Sequence, residues 1–171
     1  MSLPRTDPAA LYAAHHEALL RYLIRYTGDA DDAADAAQET YLKLVSSPPA
    51  TDQNPRAWLF TVASNVVRDS WRRRQSGKRL LEVPETDLMG QTAPEPDVQV
   101  ERDDERRRVR RALDLLSDRD RTVLLMREEG FTHQEIAQAV DTTTKSVGTM
   151  IARALSKFSH ALSPATEGPM S

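Results

Sequence analysis

GFTHQEIAQAVDTTTKSVGTMIARALSKF, residues Gly130 to Phe158, decides how the rest of the chain is organised. Thr132 precedes Glu135 by three residues, the spacing at which a hydroxyl and a carboxylate cap one helix start reciprocally. Phe131 stands just before that cap, placed to close over Ile136 as a hydrophobic staple. Ile136, Ala137 and Val140 then form an apolar stripe. Asp141-Thr142-Thr143 interrupts it, and Thr143 is the expected cap of a second helix. In that helix Val147, Ile151, Ala154, Leu155 and Phe158 recur on one face, with Lys145, Ser146, Thr149, Ala152, Arg153 and Ser156 opposite. Two short helices about a tight turn, the second with an apolar back and a small, polar, lightly basic front, suit the DNA major groove. A plain helical hairpin with a solvated face is the competing reading of the same residues.

Upstream of this stretch the helical pattern continues. Val109, Ala112, Leu113 and Leu116 make a stripe through a charged segment, and Ser117 with Asp120 caps a further helix bearing Val123, Leu124, Leu125 and Met126. Residues 102–162 therefore read as one four-helix unit, with 163–171 as a frayed, disordered tail. Residues 76–101 hold prolines, glycines and no sustained period, and read as a flexible acidic linker.

Residues 1–75 read as a three-helix unit. The first helix, 8–27, carries Leu11, Ala18, Leu19, Tyr22 and Tyr26 on one face and stops at Gly28. The second, 30–46, is expected to bury Ala34, Ala37, Tyr41, Leu44 and Val45, leaving Asp32, Asp35 and Glu39 opposite and Gln38 at the border. Its acidic face suits the helix dipole as it stands, and equally suits docking of a basic partner. After a proline-containing loop, a third helix from Pro55 to Gln75 turns Leu59, Val62, Ala63 and Val66 inward, with Trp58, Thr61, Asn65, Arg68 and Arg72 outward. An aromatic, an amide and arginines on one face are what phosphate or single-strand binding uses, and terminal arginines also favour the dipole.

Composition narrows the function. With 171 residues, 39% hydrophobic and 29% charged, the chain suits a globular protein, and no apolar run approaches the length of a bilayer span. Absence of cysteine excludes disulfides and thiolate metal sites and fits a cytoplasmic protein. His15 and His16 are adjacent and project about 100° apart on a helix, so they cannot share a metal. No phosphate-cradling glycine loop or nucleophile motif appears, so neither an enzyme nor a cofactor is expected. Residues 76–100 hold two basic and five acidic side chains and the flanks balance, so the net charge of −3 lies in the middle. Such a chain binds bare DNA weakly, because phosphate neutralisation supplies most non-specific affinity.

Together these segments resemble the extracytoplasmic-function (ECF) sigma factors of the sigma-70 family, the promoter-specificity subunits of bacterial RNA polymerase. DAADAAQETYLKL, Asp32 to Leu44, is similar to the group's polymerase-binding helix. PRAWLFTVASNVVRDSWRRR, Pro55 to Arg74, is similar to the helix that melts and reads the minus-ten element. ALDLLSDRDRTVLLMREEGFTHQEIAQAV with SVGTMIARAL is similar to the domain that reads the minus-thirty-five element. The resemblance implies an all-α fold of two small helical domains, sigma regions 2 and 4, and a factor that directs transcription initiation. It further implies that Asp35, Gln38 and Glu39 meet the clamp of the polymerase's largest subunit. Asn65, Arg68, Asp69, Arg72 and Arg73 would hold minus-ten DNA, and Lys145, Ser146, Thr149 and Arg153 would enter the minus-thirty-five groove. The flap of the second subunit and an anti-sigma factor are the other implied partners, with no membrane insertion. The sequence departs from the group at Ser64, Asp141, Thr142, Gly148, Met150 and Ala152. A stand-alone helix-turn-helix regulator, binding an operator without polymerase, is the competing function; it leaves the acidic helix and the Pro55–Arg74 helix without a role.

Overall fold

A computed structural model describes residues 7–50, 52–80 and 98–163, the side chains of 78–80 and 98–100 excepted. Among the described residues there are seven helices and no strand: α1 (Pro8–Thr27), α2 (Ala30–Ser46), α3 (Pro55–Leu80), α4 (Val98–Asp114), α5 (Asp118–Glu128), α6 (His133–Ala139) and α7 (Thr144–Leu162). The starts are set by short polar caps. The Asp7 and Asp29 carboxylates accept backbone N–H bonds from Ala9 and from Asp31 and Asp32, Asn54 does the same for Arg56, and Ser117 for Asp120. Thr132 and Glu135 form the expected capping box, at 3.2 and 2.8 Å. Thr143 stands at the start of α7 but does not cap it; its hydroxyl pairs with Ser146 Oγ at 2.8 Å. Helices α3 and α4 run further into the expected linker than periodicity indicated. Gly77 costs a helix only about 1 kcal/mol, and the next breaker is Pro84. Residues 81–97 and 164–171, most of the expected linker and tail, lie outside the described residues.

The first three helices enclose Leu19, Tyr22, Leu23, Leu44, Leu59 and Phe60, all with no exposed surface. Tyr22 and Ser64 share a 2.6 Å hydrogen bond in that core, so the unusual Ser64 is a satisfied buried polar group. On α2 the expected inward face is corrected. Ala33, Ala36, Ala37, Thr40 and Leu44 are buried, whereas Ala34 and Val45 are exposed and Tyr41 is half-buried. Ala37 and Leu44 are buried as expected; Ala33, Ala36 and Thr40, from the neighbouring row of the same helix, take the places of Ala34, Tyr41 and Val45. Its alanines admit α1 and α3 closely, and Thr40 returns its hydroxyl to the Ala36 carbonyl at 2.7 Å. On α3 the expected outward Trp58 and Thr61 are half-buried, while Phe60 and Val67 join the core.

The last four helices bury Leu116, Val123, Met126, Ile136, Val147 and Ala154. Leu155, expected inside, is 41% exposed. Asp141 lies at φ 52° in the turn between α6 and α7, the left-handed conformation expected of it. Asp141→Val is expected to cost about 1–2 kcal/mol in a urea melt, because a β-branched side chain is strained there, and Asp141→Gly should cost nothing. The two cores are continuous. Phe131, beyond any role as a staple, packs edge-on against Phe60 at 5.0 Å, and the Tyr26 hydroxyl meets Thr122 Oγ1 at 2.9 Å.

Candidate nucleic-acid interface

Three surfaces carry the residues singled out from the sequence. The first is the α2 face. Asp35 and Gln38 are exposed and Glu39 is half-buried, within one helical turn of each other. Asp35 and Glu39 border a cavity of about 60 Å³ that Asp32, Ser70, Trp71 and Arg74 also line. Gln38 faces the other way, into an apolar groove with Tyr12, His16, Leu20 and Tyr41. Asp32 is not free for a partner: Arg74 grips it at 3.0 and 2.7 Å, and Arg73 lies 3.9 Å from Glu39. Asp32, and at a longer distance Glu39, are thus paired with arginines in the second half of α3.

The Arg74 hydrogen bond holds the Asp32 carboxyl below the usual range, and the same bond raises the guanidinium. A depressed carboxylate contributes stability above its unfolded pKa of about 4 and loses it as pH falls through the folded value. The Asp32→Asn variant should therefore be less stable than wild type at pH 7 by under about 1 kcal/mol, given the exposure of Arg74. Urea melts taken from pH 7 to pH 3 should show that difference shrinking below about pH 4.

The second surface is α3. Asn65, Asp69 and Arg72 are exposed and Arg68 is half-buried, successive positions on one strip. Arg68 donates to Asn65 Oδ1, and Arg72 lies 3.9 Å from Asp69. Arg68 Nε is buried with no hydrogen-bond partner. Arg73, grouped with these from the sequence, turns aside toward Glu39. Nearby, burial pushes the phenols of Tyr22 and Tyr26 up despite the Arg68 charge, so both are neutral hydrogen-bonding groups.

The third surface is α7. Lys145, Thr149 and Arg153 recur every four residues on one exposed row, with the half-buried Ser146 beside it. Neither Lys145 nor Arg153 has an ion-pair partner among the described residues. Gly148 and Ala152 flank the row and keep it low enough for backbone to approach a flat partner. On the opposite side of this half, Leu113, Leu124, Leu155 and Phe158 line an open groove of about 660 Å³. Sequence periodicity assigns all four to the core; Leu113 is buried there and Leu124 and Phe158 are half-buried against it, while Leu155 is exposed at the groove. Among the described residues no cluster of acidic and histidine side chains has metal-ligand geometry, and no helix is long and apolar enough to cross a membrane.

Known proteins share this arrangement. The chain matches Sigma-70 region 2 over residues 11–77 and Sigma-70, region 4 over residues 106–158. It is 33% identical over 149 residues to the ferric citrate uptake sigma factor FecI of Escherichia coli K12, a match covering 85% of each chain. The solved structure of CnrH in complex with the cytosolic domain of CnrY is 25% identical, with a TM-score of 0.65 over 91% of this chain and 86% of that one. The sigma factor RpoE of Bartonella quintana, solved with the anti-sigma factor NepR, is alike in fold, with a TM-score of 0.70 at 20% identity over 92% and 98% of the two chains.

Proposed function

The chain belongs to the sigma-70 family of RNA polymerase sigma factors, in its extracytoplasmic-function group, and on that footing we propose how its surfaces divide promoter recognition between them. Directing transcription initiation is the work of the family. Here Asp35 and Glu39, with Gln38 on the adjoining side of α2, dock on the clamp of the largest polymerase subunit, where charge complementarity steers the encounter and sets its register. The α3 strip of Asn65, Arg68, Asp69 and Arg72, with Arg73 at its edge, holds the minus-ten element and its displaced strand. Arginines meet phosphates, Asn65 meets a base edge or the backbone, and an unstacked base enters a protein pocket. The Lys145, Ser146, Thr149 and Arg153 row lies in the major groove of the minus-thirty-five element.

The open groove of Leu113, Leu124, Leu155 and Phe158 takes an apolar segment of the second subunit's flap. An anti-sigma protein covers these surfaces when the factor is idle, as anti-sigma partners accompany solved relatives. The factor works in the cytoplasm and performs no chemistry, since the polymerase makes the phosphodiester bonds. Domain limits of 1–75 and 102–162 belong to the same proposal, supported by matches over residues 11–77 and 106–158. A single observation carries this reading: a polar, arginine-bearing strip on α3 and an exposed basic row on α7 stand on separate halves of a chain matched in both regions.

The test is reconstitution. Purified protein with core polymerase should yield run-off transcripts from a library of promoters, and omission of either component should abolish them. Tight operator binding without polymerase, with no transcript in its presence, would establish the stand-alone regulator instead.

A further inference from the structure

The exposed face of α7 carries charge at its ends and short side chains in its middle. We infer that this middle selects thymine: the methyl groups of Thr149 and Ala152 close on the C5-methyl of the base, over the bare backbone of Gly148 and against the His133 ring. The inference rests on the sigma-factor reading above and names what the α7 row selects in its element.

Two rows run side by side along this face. Lys145, Thr149 and Arg153 form one, and Thr144, Gly148 and Ala152 form the other, each at the four-residue spacing that stacks positions along a helix. All six are exposed. In a helix-turn-helix the first turns of the second helix meet base edges, and these residues fill them. Lys145 to Arg153 spans about 12 Å of helix axis, or about three to four base-pair steps. Lys145 and Arg153 have no ion-pair partner among the described residues, which leaves both for phosphates or for a base at either end. Between them no side chain offers the paired donors that grip guanine or the amide that grips adenine. Met150, in the same turn, is half-buried against the core.

The middle is shaped as well as bare. Apart from the chain neighbours and helix backbone of Gly148, the one atom among the described residues within 4 Å of where its β-carbon would stand is His133 Cε1, at 3.9 Å. His133 opens α6, so its imidazole reaches over from the other helix of the motif and bounds an open notch above Gly148. Ala152 is four residues on from Gly148 and three on from Thr149, a helix-surface neighbour of both. The C5-methyl of thymine is the one apolar group that a base edge presents in the major groove, and alanine and threonine methyls are its partners. With no side chain at 148 the helix backbone comes close to the base, as such short methyls require. Removing one methyl from water is worth about fourfold in affinity.

Run-off transcription by the full chain with core polymerase, from promoters randomised across the minus-thirty-five element, should enrich thymine. Deoxyuridine at the enriched positions removes the methyl alone and should lower transcription about threefold or more. Thr149→Ser keeps the hydroxyl and loses the methyl, and should shrink that uracil penalty. His133→Ala should shrink it too, whereas His133→Phe, which keeps a flat wall, should retain it. Gly148→Arg fills the notch with a forked donor and should move the preference from thymine to guanine. Arginine is the better helix former, so the fold is not at risk. Lack of thymine enrichment on either strand, or equal transcription from thymine- and uracil-containing promoters, would overturn the inference. Absence of any transcript with core polymerase would instead overturn the sigma-factor reading. Binding of the full chain alone to duplexes selected from the same randomised pool, remade with thymine or uracil and compared at low salt, then decides the inference: tighter binding to thymine supports it, and equal binding or none overturns it.

Discussion

Replacing Phe60 with alanine is expected to lower the free energy of unfolding by about 3–5 kcal/mol, most of the stability of a small domain. Phe60 has no exposed surface and stands where the halves meet. Its ring contacts Tyr22 edge-on at 5.0 Å on one side and Phe131 at the same distance on the other, with the Arg56 guanidinium 5.2 Å from its centre. Truncation leaves a cavity bounded by residues far apart in sequence, which neither half collapses to fill. Phe60→Leu, which retains most of the volume, should recover more than half of the loss. Urea melts followed by far-ultraviolet circular dichroism and by tryptophan fluorescence measure both. Because the ring joins the two cores, Phe60→Ala should also separate the two transitions, the Trp58 and Trp71 signal moving first. A loss below about 1 kcal/mol would contradict the packing described.

The second large effect is functional. Reversing charge on the α2 face, Asp35→Arg with Glu39→Arg, is expected to weaken association with core polymerase at least thirtyfold, or about 2 kcal/mol. Both carboxylates stand on the face proposed to meet a basic partner, and like charges across an interface cost several kcal/mol. Fold should be spared, since Asp35 is exposed and Glu39 has only the long 3.9 Å contact to Arg73. Titration of labelled core polymerase at two salt concentrations checks the outcome. The wild-type affinity should fall as salt rises, and the variant should show a flatter or inverted dependence. Equal affinity of both proteins would remove α2 from the polymerase interface. Lys145→Ala with Arg153→Ala provides the contrast, because it should leave polymerase affinity alone and reduce minus-thirty-five dependence.

The helices were legible wherever their determinants sit within a turn or two of each other. Thr132 with Glu135, Ser117 with Asp120, and Gly28 after Tyr26 mark their starts and stops in plain sequence, and each stands where expected. The exposed row on α7 is legible too, since charge and period coincide there; on α3 Asn65 and Arg72 stand exposed as expected, while Trp58, Thr61 and Arg68 are half-buried. On α2 the expected face holds at Ala37 and Leu44 only. A helix rich in alanine offers two adjacent rows of similar hydrophobicity, and the neighbours that choose between them belong to α1 and α3. Leu155 was misplaced for a related reason: its row is apolar, and nothing local says that α4 and α5 leave a groove over it. Thr143 had the right residue type for a cap, but Ser146 competes for its hydroxyl.

By itself the sequence determined the order of seven helices, the caps that separate them, the turn at Asp141 and the family to which their motifs belong. These depend on backbone preferences and on side chains a few residues apart, so they are written locally. Only the tertiary structure decided which α2 residues are buried, that Arg74 pairs with Asp32 and Arg73, at a longer distance, with Glu39, and that Tyr26, Phe60, Arg121 and Phe131 join two halves into one core. Those outcomes turn on the shape and charge of surfaces that meet across some 40 to 100 residues of chain, and no local period records them.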